Sequence, residues 1–165
     1  MASRKDGYSG LQIGVHWLIV AMVAVQLLVA ERMSEMVEAA EEHEVVSATT
    51  SALAAVHYWL GIGILLVMFV RLLMRFSMGT PEHAGRDNAL LNTAAATVHW
   101  LLYIVLIAVP ISGLIAYYGI AEIGDIHALS KPILIVLVSL HILGALYNQF
   151  IRKDGTLMRM LRPAR

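Results

Sequence analysis

Four long apolar stretches, parted by polar connections, constrain this chain of 165 residues more than anything else in it. They run over about 11–30, 52–74, 94–117 and 127–150. Each holds the roughly 20 mostly apolar residues that a helix needs to cross the hydrocarbon core. A backbone in lipid must satisfy its own N–H and C=O groups, so segments of this length are expected to be helices. The fold class that follows is all-α: an integral membrane four-helix bundle forming one domain over 1–165, without a soluble domain. The composition agrees, with 59% hydrophobic and only 15% charged residues. The first stretch follows Arg4 and Lys5 as a signal peptide would. Its apolar run is too long for one and carries His16, so a retained helix is expected.

The charges orient the bundle. With both termini cytoplasmic, all of the 12 basic residues except Arg32 and Lys131 fall on the inner side. That arrangement obeys the positive-inside rule. The formal net charge of +0 therefore hides a polarised molecule. Its outer connections carry Glu31, Glu35, Glu38, Glu41, Glu42, Glu44, Glu122 and Asp125.

The outer connection 31–51 is expected to be a loop, with room for a short surface helix. The inner connection 76–92 contains the turn formers Gly79, Pro81 and Gly85. The basic tail from Lys153 to Arg165 reads as an amphipathic segment on the inner membrane surface. The chain has no cysteine, which excludes disulfides, iron–sulfur clusters and thioether-attached haem. Its nine methionines read as packing residues.

Polar rings inside a membrane segment are costly, and they mark function by default. Of the seven histidines, His43 and His83 sit in polar connections and read as solvated. The other five fall at two depths. His57 and His127 lie toward the outer side, and His16, His99 and His141 toward the inner side. His127 and His141 are fourteen positions apart in one stretch. At helical pitch they share a face and stand about 21 Å apart along the axis. This is the pattern of ligands for two stacked haems, each iron taking two imidazoles from opposite sides. Depth pairs His57 with His127 and His16 with His141, and leaves His99 open for the inner pair. A zinc site would instead gather three or four ligands at one point. Arg71 lies fourteen residues after His57 and is a candidate partner for a haem propionate. Gly61, one turn from His57, would let a flat macrocycle approach the helix. Pro110 is expected to bend the third helix.

These residues resemble the bacterial cytochrome b561 family of four-helix di-haem cytochromes of the inner membrane. The matching stretches are LQIGVHWL around His16, VHYWLGIGILLVMFVRLLMR from Val56 and HWLLYIVLIAVPISGL from His99. The fourth helix matches through the His127/His141 spacing and KDGTLMRM from Lys153. The resemblance covers nearly the whole chain apart from the connections. It implies two haem b groups, held by His16 with His141 and by His57 with His127, and exchange of electrons with ubiquinone. Some members of the family are superoxide:quinone oxidoreductases.

The chain departs from the family in three places. Where relatives often carry a histidine or a histidine pair near the quinone, it has Asn148 and Gln149. These join Arg75 and His99 as quinone candidates. The outer side is acidic, which disfavours steered capture of an anion such as superoxide. Pro132 lies five residues after His127, and Ser130-Lys131-Pro132 offers an alternative helix start that would leave His127 on a loop.

The function expected is transmembrane electron transfer by a multi-pass cytochrome of the bacterial inner membrane. It would link ubiquinone to an extracytoplasmic electron donor or acceptor. The alternatives are a superoxide oxidase, which is an oxidoreductase in the strict sense, a haem-carrying anchor subunit of a larger redox complex, and a haem-free bundle. A homodimer stays open, and no nucleic-acid partner is expected.

Overall fold

A computed structural model describes residues 7–81 and 89–164. Arg4, Lys5, His83, Gly85, Arg86 and Arg165, invoked above, lie outside the described residues. Four helices dominate: α1 (Gly10–Glu41), α2 (Ala48–Met78), α3 (Ala89–Tyr117) and α4 (Gly124–Leu146). A π-helical turn over Tyr147–Ile151 continues α4, and a 3-10 turn over Met158–Met160 lies in the tail. Each long helix, α4 with its π extension, is long and apolar enough to cross a membrane.

Local chemistry fixes the helix ends. Ser9 caps α1 through a reciprocal pair: its Oγ accepts from Gln12 N at 3.3 Å, and Gln12 Oε1 accepts from Ser9 N at 3.0 Å. Ser47 caps α2 by accepting from Thr50 N at 3.1 Å. At the far end of α2, Gly79 has a φ of 73°, a conformation that glycine adopts freely. Gln12 Nε2 donates to the Gly79 carbonyl at 3.1 Å, so the start of α1 is tied to the end of α2.

Two boundaries differ from the sequence expectation. The segment 31–41 is not a loop, because α1 runs through it to Glu41. It is rich in Glu, Ala and Met and has neither glycine nor proline. An Arg32–Glu35 ion pair at 2.6 Å supports the helix where it leaves the apolar zone. The connection to α2 then shrinks to 42–47, with exposed His43 at a φ of 59°.

Pro132 does not start α4 but lies inside it. The helix begins at Gly124, with Asp125 in its first turn, where a carboxylate suits the helix dipole. His127 is therefore helical, its N–H donating to the Ile123 carbonyl at 3.0 Å. Ser130 acts inside the helix, its hydroxyl donating to the His127 carbonyl.

The helices alternate in direction. α1 packs on α2, α2 on α3 and α3 on α4, whereas α4 meets α1 and α2 mainly through side chains. The core takes residues from all four helices: Ile19 and Val23, Ile64 and Met68, Tyr103, and Leu134. Outside that core most large apolar side chains are exposed, among them Leu28, Trp59, Leu66, Leu73, Ile104 and Leu143. Such a surface suits lipid rather than water.

The tail Lys153–Ala164 holds one short 3-10 turn, Met158–Met160, and otherwise runs in turns and irregular backbone. Asp154 Oδ1 accepts from Thr156 N at 3.0 Å and Thr156 Oγ1 at 2.6 Å, which turns the chain. The tail then folds back over the start of α1. Trp17 Nε1 donates to the Met160 carbonyl at 2.8 Å, and Ala164 N donates to the Tyr8 carbonyl at 3.0 Å.

Candidate functional site

The seam between α4 and the α1/α2 pair carries two pairs of facing histidines. Near the Ser47 end, His57 of α2 faces His127 of α4, with ring centres 6.1 Å apart and planes at 86°. Near the Ser9 end, His16 of α1 faces His141 of α4, with ring centres again 6.1 Å apart and planes at 65°. Two metal–imidazole bonds of about 2 Å each, plus half a ring at either end, come to roughly 6 Å. Both pairs therefore have ring spacings compatible with one metal held between two imidazoles.

His99 stands 5.0 Å from His141, ring centre to ring centre. That is short for two bonds and two half rings. Its Nδ1 lies 2.6 Å from the Ala95 carbonyl one turn back, which ties the ring to its own helix. His16 is the partner with the right spacing, and His99 flanks the pair.

The His127 ring is held by a feature the sequence reading did not single out. Its Nδ1 lies 3.0 Å from the Val109 carbonyl and 3.2 Å from Ser112 Oγ, both on α3. Ser112 Oγ also donates to that carbonyl at 2.8 Å. Donation from Nδ1 to Val109 leaves Nε2 as the free lone pair. Gly113 makes room for the ring: a Cβ there would sit 2.8 Å from His127 Cε1. The sequence signal was the Ser112-Gly113 pair just after Pro110, close to the level of His127.

Gln26 is the other residue the sequence reading passed over. It is an amide in the apolar run of α1, and its Nε2 donates to the His57 carbonyl at 3.0 Å. Its Oε1 is buried without a hydrogen-bond partner among the described residues. A polar residue at membrane depth was the signal that could have found it. Gly61 lies beside this amide, its Cβ position 3.5 Å from Gln26 Nε2.

Cations and aromatic rings collect at the Ser9 end. Arg71 Nη1 donates to the Gln12 carbonyl at 3.3 Å. Arg75 stacks its guanidinium 4.8 Å from the centre of the Trp100 ring and 5.4 Å from that of Tyr103. Neither arginine has a carboxylate partner among the described residues. Tyr8 lies beside them, just before α1. Burial raises its phenol above the ordinary value, and Arg71, Arg75 and Arg159 pull it back down.

Asn148 and Gln149 fall in the π-helical turn at the same end. Such turns recur where a helix is adapted to a site. Asn148 Oδ1 accepts from Arg152 Nη1 at 3.4 Å, while Gln149 Oε1 is buried without a hydrogen-bond partner among the described residues.

At the Ser47 end, Tyr58 and Tyr118 join hydroxyls at 2.9 Å, and the Tyr58 ring lies 4.6 Å from Tyr117. Trp59 packs on the edge of Tyr58, its ring centre 5.2 Å away. Amphipathic rings clustered at helix ends are typical of a membrane–water interface.

Known proteins are similar to this chain along nearly its whole length. The family model of the prokaryotic cytochrome b561 matches residues 7–163. A cytochrome b562 of Cereibacter sphaeroides is 30% identical, over 98% of this chain and 99% of that protein. A probable superoxide oxidase CybB of Yersinia pestis is 26% identical, over 93% of this chain and 95% of its own. The cytochrome b561 homolog 1 of Escherichia coli K12 is 28% identical, over 93% and 96%. The match spans almost every described residue, including all five histidines at membrane depth. This chain belongs to the prokaryotic cytochrome b561 family, whose members are membrane cytochromes that carry haem b.

Proposed function

We propose that the chain is a di-haem cytochrome that moves electrons across the bacterial inner membrane. It would link the ubiquinone pool to an extracytoplasmic donor or acceptor. The observation that carries this reading is the repeat of one geometry at two depths: two histidine pairs, each with ring centres 6.1 Å apart, across the same seam. Bound at those positions, haem b supplies a one-electron ferric/ferrous couple. Everything else is the work of the chain.

His16 with His141 and His57 with His127 would hold the two irons. Hydrogen bonding from Val109 and Ser112 fixes the tautomer and direction of His127. Core residues such as Ile19, Val23, Ile64, Met68 and Leu134 keep water from the interior. The unpaired charges of Arg71 and Arg75 suit anionic propionates and the carbonyl oxygens of a quinone. Asn148 and Gln149 add amide groups at the same end, and His99 adds an imidazole ring beside His141.

The distribution of basic residues supports cytoplasmic termini, with the Ser9 end inside. Quinone exchange then belongs to the cytoplasmic side, and the acidic Ser47 end faces the extracytoplasmic partner. Reduction of the purified protein by ubiquinol, followed in the haem α-band, tests this reading. Reduction within seconds is expected, and it should slow when Arg75 is replaced. A protein that takes up haem but is not reduced by ubiquinol would contradict it.

Superoxide oxidation is the second reading, favoured by the relative named a probable superoxide oxidase. Exposed Glu38, Glu41, Glu42 and Glu44 near the Ser47 end make an unfavourable field for that anion. Mixing oxidised protein with superoxide at increasing salt separates the two. Fast reduction that slows with salt would favour an oxidase with a local cationic funnel. Slow reduction that quickens with salt would favour a different extracytoplasmic partner.

A further inference from the structure

Nδ1 of His57 is buried and has no hydrogen-bond partner among the described residues. A histidine that turns Nε2 toward a metal carries its remaining proton on Nδ1. Metal-bound imidazoles almost always pass that hydrogen bond to an acceptor, which fixes the ring and makes it a stronger donor to the metal. His127 has such an acceptor in the Val109 carbonyl at 3.0 Å. His57 has none of its own, and burying the N–H without one is costly.

The complementary atom is close at hand. Gln26 Oε1 is a buried acceptor that lacks a donor. Its amide is already fixed to the right residue, because Gln26 Nε2 donates to the His57 carbonyl at 3.0 Å. A carbonyl only accepts, so the amide nitrogen must face it and the oxygen is the end left over. One unpaired donor and one unpaired acceptor thus belong to two side chains already joined by a hydrogen bond. The amide packs beside Gly61, whose Cβ position is 3.5 Å from Gln26 Nε2, an ordinary van der Waals distance.

We infer that Gln26 is the positioning residue of His57: its carboxamide oxygen accepts the Nδ1 proton when Nε2 faces the iron. The two atoms are unbonded here, and with the Gln26 amide nitrogen held on the His57 carbonyl it is the His57 ring that would turn to make the bond. The site then has one polar partner for each ring, α3 serving His127 and α1 serving His57. The inference rests on the haem reading above. Its consequence is electronic as well as steric. A ring that donates from Nδ1 is the more basic ligand, favours the ferric state and lowers the potential of that iron.

The test is a redox titration of the full-length holoprotein in detergent, with haem per chain counted alongside, for wild type, Gln26→Leu and Gln26→Glu. Gln26→Leu removes the acceptor. The midpoint of one haem should rise by about a tenfold change in its ferric-to-ferrous ratio, about 59 mV for one electron. That haem should also be held roughly tenfold less tightly. In Gln26→Glu the oxygen facing the His57 carbonyl must carry the proton, which leaves the other oxygen to accept from Nδ1, so the same midpoint should stay closer to wild type than in Gln26→Leu. The second haem should be unmoved in both variants. Unchanged midpoints and haem retention in both variants would overturn the assignment, and so would equal shifts of both haems. A wild-type protein that takes up no haem would overturn the proposed function itself, an outcome distinct from either of these.

Discussion

Gly113 on α3 lies so close to His127 on α4 that a methyl group there would meet Cε1 of the ring at 2.8 Å. Neither α3 backbone nor a ring held at the Val109 carbonyl gives way easily. Gly113→Ala is expected to cost about 1–3 kcal/mol by overpacking and to drive the ring off its bearing. The pyridine haemochrome assay should then show one haem lost per chain while the other remains.

The pairing of the histidines predicts which haem each substitution removes. Replacing His57 or His127 by Ala should abolish one spectral component, and replacing His16 or His141 the other. His99→Phe should keep both, because its ring stands 5.0 Å from His141 and is tied to Ala95. Low-temperature α-band spectra of the five variants check this. Loss of a haem in the His99 variant with retention in the His16 variant would reverse the assignment of the Ser9-end pair.

Arg75 predicts a split between cofactor retention and turnover. Its stacking on Trp100 and Tyr103 is worth about 1 kcal/mol, so Arg75→Gln should fold and keep both haems. If the guanidinium binds a quinone oxygen, the rate of reduction by ubiquinol should fall about tenfold, which corresponds to about 1.4 kcal/mol. Stopped-flow reduction at several ubiquinol concentrations measures it.

The tail contributes to stability at the Ser9 end. Trp17→Phe removes the hydrogen bond to the Met160 carbonyl and keeps an aromatic ring. A loss of about 1 kcal/mol is expected, with the haem count unchanged. Thermal unfolding in detergent, followed by circular dichroism, checks the first part and absorbance at the α-band the second.

The membrane helices and the two depths of histidine were legible in the sequence because both follow from simple periodicities, length against bilayer thickness and position against helical pitch, whereas only the family resemblance chose His16 over His99 as the partner of His141. His127 was less secure, since Pro132 offered a plausible helix start. The structure keeps the ring helical because the first turn from Gly124 is already formed before the proline is reached. The continuation of α1 to Glu41 was hidden by its acidity, which reads as loop in a chain judged by hydropathy alone. Gln26, Ser112 and Gly113 escaped notice for another reason. Each acts on a histidine of a different helix, and no spacing within one stretch reports that contact.

The haem count of the purified wild-type protein tests the central claim most directly. A pyridine haemochrome assay normalised to quantitative amino-acid analysis should return two haem b per chain, with a reduced-minus-oxidised spectrum of low-spin, six-coordinate character. A single haem per chain in fully loaded protein, or a high-spin spectrum, would contradict two bis-histidine sites.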